Sequence, residues 1–297
     1  MAASRRLEST PVAPARRREG SLRRSRMVFG VSTYVLLVIT VALILFPIYW
    51  MVITSLKMPR EILRTPTLWP QVFTWRNYDE LINEKQFLMY IKNSLIVASC
   101  VTVISLFISS FAAYSLVRFK YRFKGVVGRV ILFAYLTPTS LLFIPLSIVI
   151  ARLDLGNSLQ GLILVYLTFS LPLSTWLLQG YFRGVPRELE EQAMVDGATR
   201  MGALFRILLP LSAPGLAAVA IFTFTGAWNE LLLALIFITS EEKRTVPLGI
   251  NYLITSDVLP WGTLMAGAVL SSLPMMVLYF AAQRFMVKGM TSGSVKG

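Results

Sequence analysis

Histidine is absent from this chain, and cysteine occurs once, at position 100. A lone Cys100 rules out a disulfide within the chain, and without histidine no His/Cys metal site can be assembled. No Gly-Lys-Ser or Gly-Lys-Thr sequence occurs, so the chain lacks the usual phosphate loop of nucleotide-hydrolysing proteins. Charge is scarce as well: 15% of the 297 residues are Asp, Glu, Lys or Arg, where a soluble domain carries about 25%. Apolar residues fill the space, at 55% of the chain and a mean hydropathy of +0.64. They are gathered in uncharged runs longer than the ~20 residues that cross a bilayer as a helix. The expected class is an all-α, polytopic membrane protein.

Six runs are expected to span: 28–56, 93–117, 130–151, 155–182, 207–240 (broken only by Glu230) and 258–283. The first is too long for a signal-peptide core and has no evident cleavage site after it. Residues 1–26 hold eight arginines without apolar periodicity and read as a disordered tail. The segment 57–92, with Trp69, Trp75 and Tyr78, reads as an external loop with interfacial aromatics. Residues 93–286 form the core, 183–210 a polar loop within it, and 287–297 a C-terminal tail.

The basic residues orient the spans. With the N-terminus inside, the inner segments carry 20 of the 29 Lys/Arg against six acids, while the outer ones carry nine against eight. The positive-inside rule then gives both termini in the cytoplasm. The net charge of +14 is accounted for by topology and by attraction to anionic lipid, so no nucleic-acid partner is expected. On this reading Arg118, Lys120, Arg122 and Lys124 are an anchor at the inner surface.

The polar loop is a helix-forming island. Pro186 suits a first helical turn, where Glu188, Glu190 and Glu191 meet the positive end of the helix dipole. Asp196-Gly197 supplies a stop, because glycine accepts the left-handed conformation that ends a helix. A second helix starts near Thr199 and runs through Phe205 to Pro210. Small residues, Ala193, Ala198 and Ala203, would let another surface approach the backbone. On the residues alone, a docking hairpin and an amphipathic hairpin lying on the membrane stand level. Glu230 is the other candidate: a carboxylate in hydrocarbon is costly and faces a bundle interior or watery cavity. With Trp228 and Asn229 it offers a ring, an amide and a carboxylate suited to a sugar. Bonding to a neighbouring helix is the competing role, and adjacent residues on a helix cannot all face one pathway.

Residues 191–210 resemble the cytoplasmic loop of permease subunits of binding-protein-dependent ABC importers. That family's pattern is Glu-Ala-Ala, three residues, Gly, nine residues, Ile, one residue, Leu-Pro. Glu191, Ala193, Gly197, Ile207, Leu209 and Pro210 match it at the right spacing, while Gln192 replaces the usual second-position alanine. The likeness runs from Asn93 to the C-terminus and is nearest to carbohydrate importers of the maltose-system type. Residues 113–119, Trp228-Asn229-Glu230 and 289–297 carry the rest of it. The resemblance implies a type I importer permease fold with six spans. It also implies coupling helices that dock on a separate ATPase through Glu191, Ala193, Asp196, Gly197, Ala198, Phe205 and Pro210. Trp228, Asn229 and Glu230 become substrate-pathway candidates, and residues 289–297 would reach toward the ATPase dimer.

The implied partners are a second permease subunit, two ATP-binding subunits that hold the ATP and Mg, an extracytoplasmic sugar-binding protein and a sugar. The chain itself holds no cofactor. The loop 239–262 would face the binding protein or simply be solvated. A permease for a polyol or glycerophosphate-type solute is an alternative. So is a membrane enzyme using Glu230 or Asp196, though neither has a paired acid or a histidine. A self-contained channel would need a charged pore ring or filter sequence, and none is evident.

Overall fold

The computed structural model describes residues 18–64, 67–254 and 259–293. It divides into two compact units, residues 1–50 and 51–297. The first unit is the greater part of α1 (Arg18–Ser55), helical through Pro47. This helix starts inside the stretch expected to be disordered up to residue 26; residues 1–17 lie outside the described residues. Its part from Gly30 to Ser55 is long and apolar enough to cross a membrane.

In the second unit the expected loop 57–92 is structured. It holds α2 (Pro59–Arg64), α3 (Arg76–Asp79) and a widened π-turn over Glu80–Glu84. The buried amide of Asn77 fastens it, donating to the carbonyls of Ser55 at 2.8 Å and Lys57 at 2.9 Å. The next span, α4 (Phe87–Arg118), begins six residues before the expected boundary. It packs along α7 (Leu159–Gly184), whose first turn is closed by Ser158 Oγ accepting from Gly161 N at 3.0 Å. Small hydroxyl residues allow the close approach: Ser105 Oγ meets Ser170 Oγ at 2.8 Å, and Ser109 Oγ donates to Leu171 O at 3.2 Å. The last long helix, α14 (Trp261–Gly293), runs through Pro274 and into the expected tail 287–297. Residues 294–297 lie outside the described residues.

Two expected spans are not straight helices. The run 130–151 folds as α5 (Lys124–Leu136) and α6 (Thr139–Arg152), bent by 101°. Proline restricts the residue before it to extended conformations, and Thr137 sits at ψ 125° ahead of Pro138. The run 207–240 is divided further. Its membrane helix is α11 (Ala213–Trp228), and a short α12 (Leu232–Phe237) follows after Asn229, Glu230 and Leu231. Upstream, residues 200–211 meet α11 at 78°. Among the described residues four helices are thus long and apolar enough to cross a membrane, and up to six spans result if each bent pair counts as one. Among the described residues there is no strand, and the all-α expectation holds.

Candidate functional site

The polar island forms a hairpin at the end of the bundle that carries the basic loops. Its first arm is α8 (Arg187–Val195). The second comprises α9 (Arg200–Ala203), a π-turn over Leu204–Leu208 and α10 (Leu209–Leu211). The corner between the arms is a Schellman closure. Ala198 N donates to Ala193 O at 2.9 Å, and Gly197 N donates to Met194 O at 3.1 Å. Gly197 lies at φ +89°, which L side chains rarely adopt. Thr199 then caps the second arm, its Oγ1 accepting from Gly202 N at 3.1 Å.

The outer surface of this hairpin is not consumed by the chain's own packing. Glu191, Asp196, Gly197 and Pro210 are exposed, and Ala193 and Ala198 are half-buried. Glu191 makes one ion pair, to Arg187 at 3.0 Å, and both side chains are about half exposed. Phe205 is 49% exposed and meets Phe111 of α4 edge-on, with centroids 5.9 Å apart. On the second arm Ala203 is fully buried, and Leu204 and Leu208 pack with Leu178, Phe182 and Val219 from α7 and α11. At Gly215 of α11 the backbone runs against Tyr181, whose ring carbon would lie 2.2 Å from an added Cβ. The second arm thus spends Leu204 and Leu208 on its own bundle, while Leu189, Met194, Val195, Met201 and Phe205 leave apolar surface exposed.

Two residues outside the predicted set anchor it. Arg118, at the end of α4, donates from Nε to Glu190 Oε1 at 2.6 Å and from Nη2 to Val185 O at 2.9 Å. The side chains of Arg118 and Glu190 are 10% and 4% exposed. One turn earlier, Tyr114 Oη donates to Arg200 O at 3.2 Å. Sequence reading treated Arg118 as a surface anchor and Glu190 as a dipole residue. Their pairing spans 72 residues, and no local pattern carries it. Beside the pair, Lys120, Tyr121, Arg187 and Glu191 line an open cavity of about 560 Å³.

The second predicted group is not brought together. Trp228 is 3% exposed, stacked on Phe224 at 5.7 Å within a cluster that includes Leu81, Phe87 and Tyr90. It packs as a core residue of this chain. Asn229 is exposed and its amide donates to Thr225 O at 3.0 Å, closing the end of α11. The carboxylate of Glu230 accepts from Leu233 N at 3.0 Å and from Ala234 N at 3.2 Å. It thereby satisfies the free donors at the start of α12, a helix-capping role. Glu230 does border a cavity of about 190 Å³ with Tyr135, Thr139, Tyr166, Ser170 and Thr223. The lining offers hydroxyls, but the acid already has partners.

At the opposite end, the expected loop 239–262 is ordered where it is described. It holds a 3-10 turn over Glu241–Lys243 and α13 (Val246–Ile254), and residues 255–258 lie outside the described residues. Asn157, at φ 47°, accepts through Oδ1 from Thr239 N and Ser240 N at 3.0 and 3.1 Å. Among the described residues no cluster of three or more Cys, Asp or Glu could hold a metal ion.

Residues 105–292 match the family described as "Binding-protein-dependent transport system inner membrane component". The chain is 35% identical over 283 residues to the trehalose/maltose transport system permease protein MalG of Thermococcus litoralis, covering 94% of this chain and 99% of that one. It is 37% identical over 254 residues to the sulfoquinovosyl glycerol transport system permease protein SmoH of Agrobacterium fabrum, covering 85% and 89%. In fold it is similar to a chain of a bacterial ABC transporter involved in the import of the acidic polysaccharide alginate. There the TM-score is 0.73 at 22% identity, covering 93% of this chain and 99% of that one. An exposed, motif-bearing hairpin on a bundle of membrane helices agrees with the family match. The chain belongs to the binding-protein-dependent transport system inner membrane components, membrane-embedded permease subunits of ABC importers of the type I fold.

Proposed function

We propose that this chain is one of two permease subunits of an ATP-driven importer that carries a carbohydrate across the bacterial cytoplasmic membrane. The hairpin 187–211 faces the cytoplasm and docks on a separate ATPase subunit, which holds ATP and Mg. Closure of the ATPase dimer moves the docked hairpin, and the helix bundle alternates between inward- and outward-facing states. The observation that carries this reading is the hairpin itself. It is locked at Gly197 by a left-handed corner, Leu204 and Leu208 fasten it to its own bundle, and Glu191 and Phe205 remain exposed.

The cargo class rests on the relatives. Their printed cargoes are sulfoquinovosyl glycerol, trehalose or maltose, and diacetylchitobiose, all of them glycosides. A second permease, two ATPase copies and an extracytoplasmic sugar-binding protein complete the assembly. An enzyme reading loses its best residue, because the Glu230 carboxylate caps α12. The test is reconstitution of the full complex in liposomes. A glycoside-loaded binding protein should stimulate ATP hydrolysis and drive uptake of that glycoside. Absence of stimulation by any glycoside, with stimulation by a polyol or glycerophosphate, would overturn the carbohydrate assignment.

A further inference from the structure

One ion pair deep under the hairpin joins Arg118 to Glu190, both nearly excluded from solvent. Exposed pairs contribute little, whereas separating a buried pair strands a charge away from water. Arg118 holds more than α8. Its second contact, to Val185 O, fixes the residue at which α7 gives way to the hairpin. Tyr114, on the same face of α4, holds the first residue of the other arm. Lys124 closes the helix end, its ammonium donating to Val117 O at 3.3 Å and Phe119 O at 3.1 Å. The last turns of α4 thus grip both arms and their hinge.

The far end of α4 is gripped as firmly. The Asn93 amide donates to Glu242 O at 2.8 Å and Arg244 O at 2.9 Å. Ser94 Oγ accepts from Val246 N at 2.8 Å. Between Asn93 and Arg118 the helix is uninterrupted and holds no proline, a length of about 38 Å at 1.5 Å per residue. Among the long apolar helices, α1, α7 and α14 each contain a proline. α4 is the one that is both proline-free and bonded through buried polar groups at each end.

We infer that Arg118, through Glu190 and Val185, is a positioning residue that makes the hairpin and α4 move as one rigid piece. A displacement of the hairpin is thereby delivered to segment 241–246 on the opposite face. This rests on the proposed docking of an ATPase, which supplies the displacement.

The test uses the complete assembly, with Cys100→Ser introduced and spin labels at the exposed positions Lys120 and Glu188. In the otherwise native chain, the distance between labels should be the same without nucleotide and with ATP trapped. In the double variant Arg118→Met/Glu190→Met, which leaves no stranded charge, that distance should differ between the two states. ATPase recovery should be unchanged, while stimulation of hydrolysis by loaded binding protein falls about tenfold. A native-chain distance that changes by about one helical turn, 5 Å, overturns the inference, as does a double variant with native coupling. A double variant that no longer recovers the ATPase also overturns it, because the pair would then only shape the docking surface. If no ATPase accompanies even the native chain, the underlying reading fails instead.

Discussion

The hairpin 187–211 and the break at Trp228–Glu230 both drew notice as polar insertions among apolar runs, yet the fold treats them oppositely. In the hairpin, the motif residues Glu191 and Gly197 keep their outward surfaces, and the buried work falls to Glu190, Leu204 and Leu208. At the break, the side chains of Asn229 and Glu230 are taken up locally. The Asn229 amide closes α11, the Glu230 carboxylate opens α12, and Trp228 sits in the core. In water, a side chain can be left unpaired at little cost. In hydrocarbon it cannot, so a lone polar residue there is more readily claimed by its own backbone. A polar residue inside a membrane segment marks a site only after its own chain's demands are met.

Trp228→Ala should cost about 3–5 kcal/mol, as for large aromatic truncations in packed cores. Recovery of folded protein in detergent would collapse; near-native recovery with altered cargo selectivity would return Trp228 to the pathway. Gly197→Val forces a β-branched residue to φ +89°, at a local cost of roughly 1–3 kcal/mol. Membrane insertion should survive while uptake is lost, measured in vesicles against protein level.

Glu191→Ala removes an exposed pair to Arg187, so stability should change by less than about 1 kcal/mol. Recovery of the ATPase in a detergent pull-down should nevertheless fall. Unchanged recovery would show that the motif glutamate is not a docking contact. Glu230→Gln keeps an acceptor for Leu233 and Ala234 but loses the charge. Stability should drop by at most about 1 kcal/mol, with uptake affinity at the native value. A shifted cargo affinity would place this residue in the pathway after all.

Much of this was legible because it is local. Asp196-Gly197 announced a left-handed corner, Pro186 a helix start, and run length the spans. The failures share a cause. Counting uncharged residues measures whether a segment can enter hydrocarbon, but not where its hydrogen-bond ladder stops. The breaks at Thr137-Pro138, at Ser212 and after Trp228 therefore disappeared into single expected spans. Pro138 sits at one break, yet Pro47, Pro145, Pro172 and Pro274 stay inside helices, so proline alone does not decide. The anchor of the hairpin was hidden more deeply. Three glutamates share its first arm, and only tertiary packing turns Glu190 inward to Arg118 while Glu191 stays outside.

On the proposed function this outward surface receives a separate ATPase, and a photo-crosslinking side chain at position 191 reports what meets it. In the purified assembly, irradiation should join this chain to the ATP-binding subunit, and the product should diminish in the Gly197→Val background. Crosslinks to lipid alone, with an active assembly, would contradict the account.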